Sequence, residues 1–195
     1  MIRISLTGFL VSVLFMASCT APIRRVDLKM PYKDRLQLAS IYIQNDQPER
    51  AVPLLEDASV QDPGRPEAYA MLGEVLFLEG NLEGSARSLN RALETGGDDP
   101  VILNNLAWVE MGRGNAEKAL SLTDRALRLN PVPLYPHLDT RARVLLGLGR
   151  PQEALEEATR ALELVPAHDN RMRDRLEELV RELSEGTRDE GEIYY

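Results

Sequence analysis

The chain is poor in the residues that most often carry chemistry. One of its 195 residues is cysteine, Cys19, and two are histidine, His137 and His168. A single thiol excludes an intramolecular disulfide and any cysteine-based metal cluster. The histidines lie 31 positions apart, which is not a ligand spacing, and each sits near the start of a helical segment, where it reads as a surface or capping residue. Aromatics make up only 5% of the chain, with a single tryptophan. Positive charge is in the minority, 23 Lys and Arg against 31 Asp and Glu, for a formal net charge of −8. That balance excludes nucleic-acid binding through bulk electrostatics. Catalytic patterns are missing too. No Ser-His-Asp arrangement is credible with these histidines. The carboxylate pairs Glu156-Glu157 and Glu177-Glu178 fall on charged helical faces. Gly112-Arg113-Gly114 follows no strand and precedes no Lys-Ser/Thr, so it is not a phosphate loop. The expectation is a protein that is not an enzyme and holds no cofactor or metal.

What is present begins at the N-terminus. Met1-Ile2-Arg3 gives a short positive start, and Ile4 to Met16 is a run of 13 residues without charge. A helix crossing a bilayer needs about 20 apolar residues, so the run suits the hydrophobic region of a secretory signal instead. Ala17-Ser18-Cys19 follows. This segment resembles a bacterial lipoprotein signal, although Met16 stands where that family prefers Leu. The resemblance implies cleavage between Ser18 and Cys19, a diacylglycerol (with palmitate-type acyl chains) on the Cys19 thiol, and an outer-membrane lipoprotein facing the periplasm, since Thr20 rather than Asp follows. An ordinary cleaved signal peptide or an uncleaved anchor is the alternative. Acyl chains contribute about 0.8 kcal/mol per buried CH₂, so several of them give stable anchoring. Residues 1–18 are thus read as signal peptide and 19–31 as a tether, whose twelve residues after Cys19 reach about 40 Å if extended. The basic excess Arg24, Arg25, Lys29, Lys33 and Arg35 suits either a solvated linker or anionic head groups.

From Tyr32 the chain repeats itself. The first copy has Leu38-Ala39, Tyr42, Ala51, Leu55, Ala58 and Pro63. The second has Tyr69, Leu72-Gly73, Leu76, Ser85, Leu89 and Ala92. The third has Leu106-Ala107, Ala119, Thr123, Ala126 and Pro131. The fourth has Ala142, Leu145, Ala154, Ala158, Ala161 and Pro166. Ala51, Ser85, Ala119 and Ala154 recur 34, 34 and 35 residues apart. This pattern resembles the tetratricopeptide repeat. It implies an all-α fold, a solenoid of helix-turn-helix units over residues 32–166, divided at about 32–65, 66–99, 100–134 and 135–166. Each segment is too short to be a stable helix alone, and each unit buries its apolar face only by stacking on the next. Met172, Leu176, Leu179, Val180 and Leu183 then recur at helical spacing among charged residues, as a capping helix over 167–184 requires. Residues 185–195, ending Ile193-Tyr194-Tyr195, lose the period and read as a disordered tail.

Local departures give further expectations. Gly96-Gly97-Asp98-Asp99 at the junction of the second and third copies should be the loosest link. Pro131 to Pro136 should form a rigid, extended connection before the fourth copy. Pro53 should bend the second helix of the first copy, because it removes an internal hydrogen bond.

The resemblance also places a site. In this family peptides lie in the concave groove lined by the first helices. Transferred position by position, the groove residues are Leu36, Ser40 and Ile43; Ala70, Glu74 and Phe77; Asn104, Trp108 and Met111; and Asp139, Arg143 and Leu146. Of these, Trp108, Asn104, Met111, Phe77, Glu74, Ile43, Arg143 and Leu146 are the candidate partner-binding set, while packing between helices or under the cap helix is the other reading of Trp108 and the favoured one for Phe77 and Met111. An apolar groove with an aromatic anchor suits a helix or an apolar peptide. The Lys and Asn clamp by which some relatives hold a peptide carboxylate is not matched, since Leu36, Ser40, Ala70 and Glu74 stand there. The functional expectation is a membrane-anchored scaffold for a protein or peptide partner, assisting assembly of a pilus or secretion apparatus. An adaptor for cell-wall hydrolases or synthases is the alternative, and an enzyme a remote one. The sequence leaves the oligomeric state open.

Overall fold

The structure is a computed structural model that describes residues 30–130 and 133–191, with side chains described as far as Gly186. The signal segment, Cys19, almost all of the tether and Ile193-Tyr194-Tyr195 lie outside the described residues. Among the described residues there are nine helices and no strand: α1 Tyr32–Gln44, α2 Pro48–Gln61, α3 Pro66–Leu78, α4 Leu82–Gly96, α5 Pro100–Gly112, α6 Ala116–Arg128, α7 Tyr135–Gly147, α8 Pro151–Leu164 and α9 Asn170–Gly191. None of the described helices is long and apolar enough to cross a membrane.

The local signals for these boundaries include proline, glycine and capping side chains. Proline occupies the first turn of α2, α3, α5, α7 and α8, where its missing N–H has no helical partner to lose. Asn81 Oδ1 accepts from the Gly84 amide at 2.9 Å, and Asp99 Oδ1 from the Val101 and Ile102 amides at 2.8 and 3.0 Å. Each turn inside a repeat has one left-handed residue at the same register. Three of these are Gly80, Gly114 and Gly149, and the fourth is Asp46 at φ 57°.

Helices pair as α1/α2, α3/α4, α5/α6 and α7/α8, and each pair stacks on the next. Small residues stand where the two helices of a pair cross. Ala39, Ala107 and Ala142 on the first helices, and Ala51, Ser85, Ala119 and Ala154 on the second, are all fully buried. Gly73 is the tightest crossing: a Cβ there would lie 2.5 Å from Leu89 Cγ. The Ser85 hydroxyl donates to the Gly73 carbonyl at 2.6 Å across it. Larger residues fill the space between repeats. Val75, Val109 and Val144, at one register of α3, α5 and α7, are fully buried, whereas Ile41 at that register of α1 is 44% exposed.

α9 lies where a fifth first helix would. Leu176, Leu179 and Leu183 are buried against Leu138, Ala142, Leu145, Ala154, Ala158, Ala161 and Val165. Burying a leucine contributes about 1.5–3 kcal/mol, so this one-sided row suffices to seat the helix.

Several local expectations change. α9 continues to Gly191, beyond 184. Loss of hydrophobic period removes a reason to bury a face, but each further residue still adds a helical hydrogen bond. At the junction after α4, Gly97 takes a left-handed φ of 77°, Asp98 pairs with Arg125, and Asp99 caps α5. Leu134 has helical φ and ψ, and α7 already begins at Tyr135 with Pro136 in its first turn, so this part of the connection is not extended. Pro53 does not interrupt α2, which runs from Pro48 to Gln61; a continuous helix and a bend at proline are compatible. His137 is a buried residue, not a surface or capping one. It faces inward on the first turn of α7, and burial pushes its imidazole below the usual pKa, with the Asp99 carboxylate opposing the shift.

Candidate functional site

The first helices of successive repeats approach one another on the inner side of the solenoid. α3 packs on α5 and α5 on α7, and no pair of second helices packs to the same extent. Residues at one helical register therefore form rows across the inner face. One row is Ile43, Phe77, Met111 and Leu146. A neighbouring row, one turn back, is Ser40, Glu74, Trp108 and Arg143. A third is Leu36, Ala70, Asn104 and Asp139.

The first row is apolar throughout. Ile43 is half-buried against the core of the first two repeats, and Phe77 and Met111 are half-buried against the core of the middle repeats. Leu146 is 42% exposed. Leu78, beside Phe77, is 62% exposed. Phe77 and Met111 are thus each partly packed in the core and partly open.

Trp108 is half-buried on α5. Its indole N–H donates to Thr140 Oγ1 at 3.0 Å, and the Thr140 hydroxyl donates to the Pro136 carbonyl at 3.0 Å. Satisfying the only polar atom of the indole through α7 fixes the ring. Its remaining surface borders a depression of about 430 Å³ lined by Trp108, Arg143, Arg175, Glu178, Leu179 and Glu182. One turn before it, Asn104 Oδ1 is buried without a hydrogen-bond partner.

Asp139 organises the wall of this depression. It is almost wholly buried on α7 and accepts from two guanidinium groups, Arg143 on its own helix at 3.1 Å and Arg175 on α9. Burial lowers the pKa of both arginines; the Glu182 carboxylate works against this at Arg143. Neither shift removes the charge, given how far above neutrality a guanidinium titrates.

All eight candidate residues lie on the four first helices α1, α3, α5 and α7. What the sequence reading missed is the part played by α9. Arg175, Glu178 and Glu182 sit among the apolar residues of that helix and read as its water-facing side. They are exposed, but they also border the groove beside Trp108. Asp139 was placed in the groove by register, and its burial followed from no sequence signal. Among the described residues, no cluster of three or more His, Cys, Asp or Glu is arranged to hold a metal ion.

A second ionic cluster lies on the turn side of the array. Glu110 on α5 is fully buried. It accepts from Arg113 Nη1 at 2.8 Å, Lys118 Nζ at 2.8 Å and Asn115 Nδ2 at 2.7 Å. Arg113 also bonds both carboxylate oxygens of Glu83 on α4, at 2.9 and 3.0 Å. Burial pushes Glu110 up, and the Lys118, Asn115 and Arg113 donors more than reverse it, leaving the carboxyl below its usual pKa.

Comparison with known proteins agrees with this architecture. One family profile described as tetratricopeptide repeat matches residues 42–104 and a second matches residues 137–160. Curated protein sequences give no significant match. Among solved structures, PilF of Pseudomonas aeruginosa is 22% identical with a TM-score of 0.72, covering 81% of this chain and 69% of its own. PilW, described as a widely conserved type IV pilus biogenesis factor, is 20% identical with a TM-score of 0.66, covering 79% and 78%. MamA is 22% identical with a TM-score of 0.62, covering 68% and 77%. At these identities the likeness shows the fold.

Proposed function

We propose that this chain, an array of tetratricopeptide repeats with an all-α solenoid fold, is a non-catalytic scaffold that holds a peptide or helix of a protein partner in its inner groove. The observation that carries this reading is the open side of Trp108, fixed by Thr140 and set beside an apolar row that crosses all four repeats. Aromatic side chains in preformed pockets are the usual anchors of protein interfaces. The candidate set is Trp108, Asn104, Met111, Phe77, Glu74, Ile43, Arg143 and Leu146.

The proposal extends to the cell envelope. The lipoprotein-like signal ending at Cys19 supports anchoring of the mature chain to the outer membrane, facing the periplasm. The likeness in fold to PilF and to PilW, a type IV pilus biogenesis factor, supports a role in assembling a pilus or a secretion apparatus. Recruitment of cell-wall hydrolases or synthases uses the same groove and is the second reading.

A photo-crosslinking residue placed at Leu146, on the open edge of the groove, tests the scaffold in intact cells. The expected product joins this chain to a pilus or secretion-channel subunit, and Trp108→Ala abolishes it while far-ultraviolet circular dichroism stays that of the parent. Crosslinks to amidases or transpeptidases favour the second reading. Crosslinks that Trp108→Ala leaves untouched refute the groove. Cys19→Ser tests the anchor separately: unchanged membrane association and gel mobility refute lipidation.

A further inference from the structure

The chemistry of the groove specifies its occupant more narrowly. Its cations are already engaged. Arg143 and Arg175 both donate to the buried Asp139, and Lys33 stands at the far end of α1, about two turns or more from the Ser40–Arg143 row. Its carboxylates are not. Glu74 is exposed and has no hydrogen bond or ion pair among the described residues. Glu182 forms no hydrogen bond or ion pair there either, although Arg143 feels its charge. Glu178 has only a 3.7 Å contact with Arg181, both side chains being over 60% exposed. The electrostatic surplus that faces an incoming chain is negative, and it flanks the apolar row on the side of Trp108.

Spacing selects the conformation. α3 packs on α5 and α5 on α7, and packed helices lie about 8–10 Å apart, so Phe77, Met111 and Leu146 present apolar surface at about that interval. A ligand helix advances about 10.5 Å in seven residues, which keeps one apolar ridge in step with successive repeats. An extended strand returns a side chain to one face every 6.6–6.8 Å or so and falls out of step.

Resting on the groove reading above, we propose that the occupant is a basic amphipathic helix. Its apolar ridge seats on Ile43, Phe77, Met111 and Leu146, and its lysines or arginines face Glu74, Glu178 and Glu182. A cationic side chain there also passes over the open face of Trp108, a favourable cation–π position.

Three synthetic helical peptides of about 21 residues, three two-turn intervals, test this on the mature full chain. The first has a leucine ridge flanked by lysine. The second has the same ridge flanked by glutamate. The third keeps the lysines and replaces the ridge with serine. Binding is read by fluorescence of Trp108, the only tryptophan of the chain, and by anisotropy of the labelled peptide. The expected result is binding of the first peptide at least about ten-fold tighter than the other two, a difference of about 1.4 kcal/mol. It weakens in about 1 M salt, where the screening length falls to about 3 Å. The double variant Glu74→Gln/Glu182→Gln, at two exposed positions that make no hydrogen bond or ion pair among the described residues, loses roughly two- to ten-fold in affinity for it. Equal or tighter binding of the glutamate peptide overturns the basic occupant and leaves the groove reading standing. Binding of the lysine peptide that the double variant does not weaken also overturns it, because the charges then act elsewhere. If no peptide perturbs Trp108, both the basic helix and the helix-binding groove are refuted.

Discussion

Glu110 offers a perturbation whose size follows from its surroundings. Its carboxylate is fully buried yet holds Arg113, Asn115 and Lys118 at 2.7–2.8 Å. The same register carries Leu76 in the second repeat and Leu145 in the fourth. Glu110→Gln keeps the shape but removes the charge, and its amide nitrogen must then face a donor from one of these partners. Removing one partner of a buried ionic network costs about 3–5 kcal/mol when the remaining charges stay buried. Here they do not: Lys118 is half-exposed and recovers water, and Arg113 keeps Glu83. The expected loss is therefore nearer one charge-assisted hydrogen bond, about 2 kcal/mol, or about 4–8 °C in melting temperature for a domain of this size. Glu110→Leu removes all three of these hydrogen bonds while the donors stay behind, and should cost at least as much, about 2 kcal/mol or more. The charge also leaves a pH signature. The folded carboxyl titrates below its unfolded value, so its stabilisation is complete above the unfolded pKa of about 4.3 and is lost as pH falls through the folded one. Thermal melts of parent, Gln and Leu variants from neutral pH to pH about 3 measure all of this. A Gln variant as stable as the parent at neutral pH, or one with the parent's full acid sensitivity, refutes the argument.

Other variants test separate parts of the fold. Gly73→Ala places a Cβ 2.5 Å from Leu89 Cγ and 3.3 Å from the Leu89 amide nitrogen, and should cost about 1–3 kcal/mol; Gly147→Ala, with nothing within 4 Å, should be neutral in the same melt. Asp46→Gly, at the register where the other repeats carry a left-handed glycine, should stabilise by up to about 1 kcal/mol in urea titrations. His137 titrates below its usual value because it is buried, so the unfolded chain takes up a proton before the fold does. Stability should therefore fall as pH drops below about 6.5, and His137→Leu should remove that part of the dependence in melts between pH about 7.5 and about 5.

The groove shows how far a linear pattern reaches. The period of the small residues assigns every first helix a register, and with it the row Ile43, Phe77, Met111 and Leu146. The resemblance to tetratricopeptide repeats adds which of these positions face inward, and the two together name the eight candidate residues. They do not say that Phe77 and Met111 are each partly packed and partly open, because this depends on how closely adjacent repeats approach. The charges of α9 are a clearer case. Arg175, Glu178 and Glu182 alternate with buried leucines as solvent-facing residues do, and only the docking of α9 on the fourth repeat brings them beside Trp108.

The sequence by itself determined the repeating all-α architecture, the helix starts marked by proline, and the close crossings marked by Ala, Ser and Gly. These follow from contacts within one unit or between units at a fixed interval, so a single chain displays them as periodicity. Tertiary structure decided the fates of Glu110, His137 and Asp139. Each is polar at a position that packing closes off, and its state depends on partners or neighbours brought from other turns and helices: Lys118, Asp99 and Arg175. Burial removes water from all of these groups at once, and only the folded arrangement specifies which donor or charge, if any, takes its place.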